Sequence, residues 1–499
     1  MSLTARLSEA LNPIVIKELR QAVQSRFVSA VLLVLLAIQL AAIAIYLLIS
    51  RDVSGNFQAG QETFMILLGV LLAASLLFVP IYTAVRLLAE RSDTNVDLLF
   101  ITTIRPRSII AGKLLAAAAI TTLIFSACMP FLTFTYFLRG VDLPSVFIVL
   151  ALSFTVIIVC SQIGVFIACL PGNRVFKVIY GLLALNTLWM AFGLTMAGAA
   201  GLMRFGVGSA LNSWDFWGPA LAIALVVLSM GGALFVLSVA LITPATANRA
   251  LPVRLFLSSA WLLSGVATAI WSRVEKTCEP VIVWMVLSVI IGCIALFAAV
   301  SEREQLGRRV ARKVPVGWWR MIVFPFFSGA ASGVVWSCLM IGFSLGFLWV
   351  WGEIFPGFKG QSDKREALIW MGGLSLYAYC YALTGAALRR YLLRRLPPGA
   401  TWLVSVVLLA LGSIVPFLIG YLLSFNEGWK TEEVGSWLIG NPFAWGIKES
   451  RELYFIFTCA WAAPVTAVNL PWLIEAVKNF RPFRESEPPS GIVELRLSE

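Results

Sequence analysis

The sequence predicts an all-α polytopic membrane protein with about 12 transmembrane helices, N- and C-termini cytoplasmic, and an N-terminal helix lying in the membrane interface. Three observations carry this expectation. Of 499 residues, 60% are hydrophobic and only 13% charged, where a soluble chain carries about a quarter charged residues; the mean hydropathy is +0.89. The apolar residues are gathered into runs as long as a bilayer is thick. The basic residues are gathered between alternate runs. Ordinary soluble, disordered and fibrous classes are thereby excluded.

A hydrocarbon core about 30 Å thick needs roughly 20 apolar residues per helical crossing. Residues 27–49, 63–86, 114–138, 145–170, 178–203, 218–243, 253–271, 281–300, 321–350, 367–388, 401–423 and 453–477 each supply one. The ninth run is long enough to tilt, or to break near Gly329 or Gly333. Spanning strands would instead show short alternating segments, so helices are the reading that satisfies the backbone in lipid. The first run follows a charged lead without a small-residue cleavage motif, which makes it an anchored span.

Orientation follows from the charges. With the N-terminus inside and the connections alternating, 27 of the 38 Lys and Arg fall inside and 11 outside; including acids, the two sides carry +15 and −3. The positive-inside rule then places both termini in the cytoplasm of a multi-pass protein of the cell's inner (plasma) membrane. The net charge of +12 reflects bases flanking apolar runs, whose partners are anionic membrane lipids; no nucleic acid is expected. The chain has no His and eight scattered Cys without a Cys-x-x-Cys. No catalytic, metal or cofactor site is expected from it, and the cysteines read as small buried hydrophobes.

Two cytoplasmic segments are neither span nor plain loop. The lead over 11–26 can be capped by Asn12, with Pro13 in the first turn. Val15, Ile16, Leu19, Ala22 and Val23 share one face, and Lys17, Arg20, Gln21 and Gln24 the other, as in an interfacial helix. The alternative is a simple basic flank of the first span. The connection from Arg86 to Lys113 is too charged to be embedded and too apolar to be a plain loop. Val96, Leu99 and Phe100 fall at helical spacing, with Asp93 and Asp97 on another face. Such an exposed ridge marks an interface, unless it packs on this protein's own membrane surface.

Together these segments resemble the type-2 family of ABC exporter permeases. That family opens with an elbow helix, often Asn-Pro-x-x-x-Lys-Glu-Leu-Arg, which Asn12, Pro13, Lys17, Glu18, Leu19 and Arg20 match. Its second connection carries Glu-Arg-x-x-Gly-Thr-Leu-Glu-Leu-Leu, then Thr-Pro, then Ile-Ile-x-Gly-Lys. Glu90, Arg91, Asp97, Leu98, Leu99, Thr102, Ile109, Ile110, Gly112 and Lys113 stand in register. Thr94-Asn95 replace Gly-Thr, Thr103 replaces Pro, and Pro106 is displaced. The motif-bearing match covers about residues 10–115. The resemblance implies that the connection is a coupling helix docking into an ABC-type ATPase subunit, with Glu90, Arg91, Asp93, Asp97, Leu98, Leu99, Phe100 and Arg105 as the ATPase-coupling set. It also implies a homodimer or a second permease subunit.

Residues 1–250 then form one six-span half carrying elbow and coupling helix, and residues 251–499 a second, either a divergent repeat or a family-specific extension. In the second half, Glu302-Arg303 echo Glu90-Arg91, and NPFAWG over 441–446 loosely echoes NSWDFWG over 212–218. The basic stretch with Arg308, Arg309, Arg312 and Lys313 suits contact with an ATPase or with anionic lipid.

The chain has no Gly-x-x-x-x-Gly-Lys-Ser/Thr, so it is not expected to bind nucleotide itself or to be an enzyme. Charged residues avoid the span interiors; Arg86, Arg204 and Glu475 sit near ends, where they can reach the interface. Gln39, Gln162 and Asn186 are mid-membrane and read as interhelical hydrogen bonds, and Gly329 to Gly333 as close helix packing. The alternative function is a twelve-span secondary carrier of the major-facilitator type. Against it stand the short connection between spans six and seven and the missing Gly/Asp/Arg-rich motif after span two. A scaffold or membrane enzyme is a third class, for which Glu432 and Glu433 are the only adjacent outside acids.

Overall fold

The computed structural model describes residues 13–49, 59–92, 106–138, 140–171, 174–205, 213–244, 247–304, 306–423, 437–444 and 450–482. Among the described residues the regular elements are helices, with no strand. Twelve of them are long and apolar enough to cross a membrane, one for each expected run. This is an all-α, multi-pass membrane protein. Contacts divide it into two compact units, Met1–Thr243 and Pro244–Glu499.

The first unit contains α1 (Pro13–Val23), α2 (Arg26–Ile49), α3 (Ala59–Ser92), α4 (Pro106–Phe137), α5 (Leu143–Cys169), α6 (Arg174–Phe205) and α7 (Trp214–Ile242). A break at Gln24 and Ser25 separates the lead helix α1 from the first span. The core is built on α3, whose Leu67, Leu68, Leu71 and Leu72 are fully buried. They pack on Ile120, Ile124 and Leu132 of α4 and on Val146, Val149 and Ile157 of α5. A helix apolar on all sides belongs in the middle of a bundle. By contrast α6 and α7 expose Leu182, Trp189 and Leu194, and Leu221, Val226 and Leu228. Lipid tails are as apolar as leucine, so such faces carry no penalty in a bilayer.

Two of the three mid-membrane amides bridge helices. Gln39 Nε2 of α2 donates to the Leu67 carbonyl of α3 at 3.0 Å, and Gln162 Nε2 of α5 to Ser238 Oγ of α7 at 3.1 Å. Asn186 departs from the expectation. It is exposed on α6, where its Nδ2 reaches Met190 Sδ of the same helix at 4.0 Å.

The second unit contains α8 (Ala250–Glu275), α9 (Glu279–Ala299), the short turns α10 (Arg308–Ala311) and α11 (Trp319–Val323), then α12 (Ala330–Ile354), α13 (Gln361–Tyr391), α14 (Thr401–Leu423) and α15 (Arg451–Asn479). Its centre is α13, which packs on α9, α12, α14 and α15. The ninth run does break. After α11 comes a 3-10 turn, Phe324–Phe326, and the crossing helix begins only at Ala330, capped by Gly329. Gly329 thus caps the start of the crossing helix at a positive φ that favours glycine, and is not a helix-packing residue.

Between α14 and α15 the described segment Trp437–Ala444 returns into the unit. The Tyr381 hydroxyl donates to the Gly440 carbonyl at 2.7 Å, and the Tyr377 hydroxyl donates to the Ile439 carbonyl. At 1.5 Å per residue, Tyr381 lies about 15 Å from the C-terminal end of α13, and Gly412, against which Gly440 abuts, about 16 Å along α14. Non-helical backbone at that depth is tolerated only inside protein, and the two tyrosines supply the partners that water cannot.

Candidate functional site

The residues of the two cytoplasmic motifs converge in the first unit. Glu18 comes from α1, Glu90 from the last turn of α3 and Lys113 from the second turn of α4. Lys113 shares a face of α4 with Ile110 and Ala117, both fully buried, because positions three and four apart lie one above the other. That pattern points the lysine inward. Its stem is covered because α1 packs across α4 and contacts α2. Glu90 follows the buried Leu87 by one turn and reaches the same place from α3.

The resulting geometry is tight. Lys113 Nζ donates to Glu18 Oε1 at 2.6 Å and lies 2.9 Å from Glu90 Oε2. Lys17 Nζ stands 3.6 Å from Glu90 Oε1. Two carboxylates and two ammonium groups make a neutral quartet. The Lys113 and Glu18 side chains are only 2% and 5% exposed, whereas Lys17 is 59% exposed. Burying a charge is costly unless it is paired and hydrogen-bonded. Lys113 meets that condition twice, so the pairing is built into the core and is not a surface accident. The quartet joins the lead helix to the two helices that flank the Arg91–Arg107 connection.

Of the expected site residues, Lys17, Glu18 and Glu90 are brought together. Leu19 is half-buried and Arg20 exposed on α1. Asn12, Asp93, Asp97, Leu98, Leu99, Phe100 and Arg105 lie outside the described residues, as do the side chains of Pro13 and Arg91. The hub is Lys113, which stands in the motif but which its sequence position alone does not single out as a site residue. The signal that could have found it is a lysine three residues after Ile110 on a face otherwise wholly apolar. Glu18 was equally hard to place, belonging to neither the apolar nor the basic face of the lead. It is fully engaged in the core.

The second unit buries a different cation near the start of its own first span. Arg254 of α8, 3% exposed, donates to the Pro325 carbonyl at 2.8 Å, the Phe327 carbonyl at 2.6 Å and Glu302 Oε1 at 2.6 Å. Glu302 Oε2 accepts the Gly329 N–H at 2.9 Å. The guanidinium fork thus satisfies the carbonyls freed where the ninth run breaks. Glu302 echoes Glu90 in sequence, but its partners are Arg254 and a backbone amide, and the knot fixes a loop start in place of an elbow. Charged groups therefore do enter the packed interior near span ends, at Lys113 and Arg254, in place of reaching outward to the interface. At both positions the pairing offsets the cost of burying the charge.

Among the described residues no group of three or more His, Cys, Asp or Glu could hold a metal ion. The chemistry available here is charge pairing and mechanical linkage. Comparison with family models, with curated proteins and with solved structures finds no match to this chain.

Proposed function

We propose that this chain is the membrane-spanning permease subunit of an ABC exporter, moving substrate outward with energy from a separate ATPase subunit. The observation that supports this reading is where the resemblance falls. Glu18, Glu90 and Lys113 belong to the two motifs that resemble type-2 permeases, and they are the residues whose side chains meet in the buried quartet. In this reading ATP binding closes a pair of ATPases against the cytoplasmic face of the inner membrane. The connection bearing Asp93, Asp97, Leu98, Leu99, Phe100 and Arg105 receives the motion. Lys113 and Glu90, on either side of it, pass the motion to α1, α3 and α4 as one body. The permease itself performs no bond chemistry.

The test is reconstitution with the candidate ATPase. Changing Leu98 and Leu99 to Asp should abolish co-purification and the stimulation of ATP hydrolysis, while leaving elution and helix content unchanged. If both survive in folded protein, the coupling assignment is wrong. Transport by proteoliposomes holding this chain alone, driven by an ion gradient, would instead establish the secondary-carrier alternative.

A further inference from the structure

The segment joining α9 to α12 is built with two faces. Val310, Val314, Phe324 and Phe327 point inward, in one buried cluster with Leu296, Val300 and Phe480. The ring of Phe480 meets Phe324 and Phe327 edge-on at 5.2 and 5.0 Å. The acids just before the segment are engaged: Glu302 by Arg254, and Glu304 by Trp472 Nε1 at 2.8 Å. From Leu306 to Val323 the sequence has five Lys or Arg and no acid.

The outward face is both apolar and basic. Val316 is 76% exposed, Trp318 65%, Trp319 53%, Met321 65% and Ile322 51%. The rings of Trp318 and Trp319 are stacked, their centroids 4.2 Å apart. Immediately before them Arg308, Arg309, Arg312 and Lys313 are also exposed. Because the segment leaves one spanning helix and enters the next, it lies at the membrane edge. That is the depth at which tryptophan is preferred and at which anionic headgroups meet Lys and Arg.

A second feature at the same end of the unit also seeks an anion. Arg390 is stacked on Trp472, its guanidinium carbon 4.0 Å from the ring centroid. Trp472 belongs to the same buried cluster as Val310 and Phe324. Arg390 Nε and Nη1 are buried without a hydrogen-bond partner among the described residues. Buried guanidinium donors are costly unless an acceptor reaches them, and a phosphate oxygen is the acceptor their fork fits.

We propose that residues 308–323 form a docking ledge for anionic phospholipid of the cytoplasmic leaflet. Trp318 and Trp319 seat at the boundary between headgroup and acyl chain, Arg308, Arg309, Arg312 and Lys313 hold the phosphates, and Arg390 takes a headgroup at the inner edge. The proposal stands independently of the exporter reading. It resolves the choice between lipid and ATPase for this basic stretch, because a surface kept in water until a soluble partner arrives would leave five bulky apolar side chains uncovered.

The experiment uses the full chain in nanodiscs of phosphatidylcholine with a minor fraction of phosphatidylglycerol. Either the glycerol lipid or an equal mole fraction of the choline lipid carries brominated acyl chains. Subtracting the W318F/W319F variant isolates the fluorescence of this pair. Brominated phosphatidylglycerol should quench the pair roughly threefold more than brominated phosphatidylcholine. The preference should collapse toward parity in R308Q/R309Q/R312Q/K313Q. It should also collapse on the wild-type chain in high salt, an arm that needs no variant to fold. Equal quenching by the two lipids would overturn the proposal. So would a pair quenched by aqueous iodide and by neither lipid, which is the behaviour of a surface kept for a soluble partner.

Discussion

Lys113 Nζ sits 2.6 Å from Glu18 Oε1 although 95 positions of chain separate the two residues. Both are buried at the seam where the lead helix crosses the start of the third span. An interfacial helix held only by its apolar face could slide or lift with the membrane surface. This one is fixed by a charge-assisted bond in a region of low dielectric, where such bonds are strongest. The lead helix is therefore a part of the bundle, and what moves α4 moves α1.

Removing the lysine should be severe. Lys113→Met strands the buried Glu18 and leaves Glu90 only the exposed Lys17, and breaking a buried pair from one side costs about 3–5 kcal/mol. Adding Glu18→Gln should recover part of that loss, because the stranded charge goes with it. Lys17→Ala, acting on an exposed pair, should stay within about 0.5 kcal/mol of wild type. Thermal unfolding of the detergent-solubilised protein measures all three. A K113M protein as stable as wild type would mean that the quartet holds nothing.

In the second unit, Gly333 leaves no room for a side chain. A Cβ there would lie 2.6 Å from Ala299 Cβ and 2.7 Å from Arg254 Nη2. Gly333→Ala should therefore cost about 1–3 kcal/mol as overpacking, and Ala299→Gly should relieve part of it by freeing one of the two obstacles. Comparing the double variant with the two single ones tests whether the positions are coupled. Additive losses would show that the glycine is not packed against Ala299.

The twelve spans were legible because their signal, about twenty apolar residues, is set by bilayer thickness and needs no tertiary knowledge. The break in the ninth run was legible only as one of two options, a tilt or a break near Gly329 or Gly333. Which charges would be buried was not. Lys113 and Arg254 look in sequence like any base at a span end, and only the approach of α1 and of the Phe324–Phe327 turn decides that they are covered. The re-entrant tip at Gly440 was equally hidden. Its support comes from Tyr381 and Tyr377 on another helix, and a hydroxyl reaching a carbonyl 59 positions away leaves no local pattern.

Cys278 offers a chemical check on the loop that joins α8 and α9. It is fully buried, its N–H is held by the Lys359 carbonyl at 2.9 Å, and burial pushes its thiol pKa up. Reaction with maleimide requires thiolate. An ordinary thiol gains thiolate as pH approaches its usual value of about 8.5, whereas Cys278 should stay protonated and shielded there. Peptide mapping after labelling at that pH should find Cys278 unmodified in folded protein and modified after denaturation. Ready labelling without denaturant would show that the backbone pairing of Cys278 with Lys359 opens.

The re-entrant segment depends on two hydroxyls. Tyr381→Phe strands the Gly440 carbonyl, and an unsatisfied buried acceptor costs about 1–3 kcal/mol. Removing the Tyr377 hydroxyl as well strands the Ile439 carbonyl beside it, with no water at that depth to replace either partner. Gly440→Ala acts on the same contact from the other side, since a Cβ would collide with the Gly412 carbonyl oxygen of α14. That obstacle is backbone and cannot swing away. All three changes should loosen the tip without unfolding the bundle, because Met285, Val289 and Leu348 of α9 and α12 pack in a separate cluster. Hydrogen exchange read peptide by peptide separates the cases. Exchange over 437–444 should quicken in Y381F, more in Y377F/Y381F and in G440A, while peptides of α9 and α12 keep their protection. Uniform quickening would indicate global destabilisation, and an unchanged 437–444 peptide would mean that the tyrosines do not hold the tip.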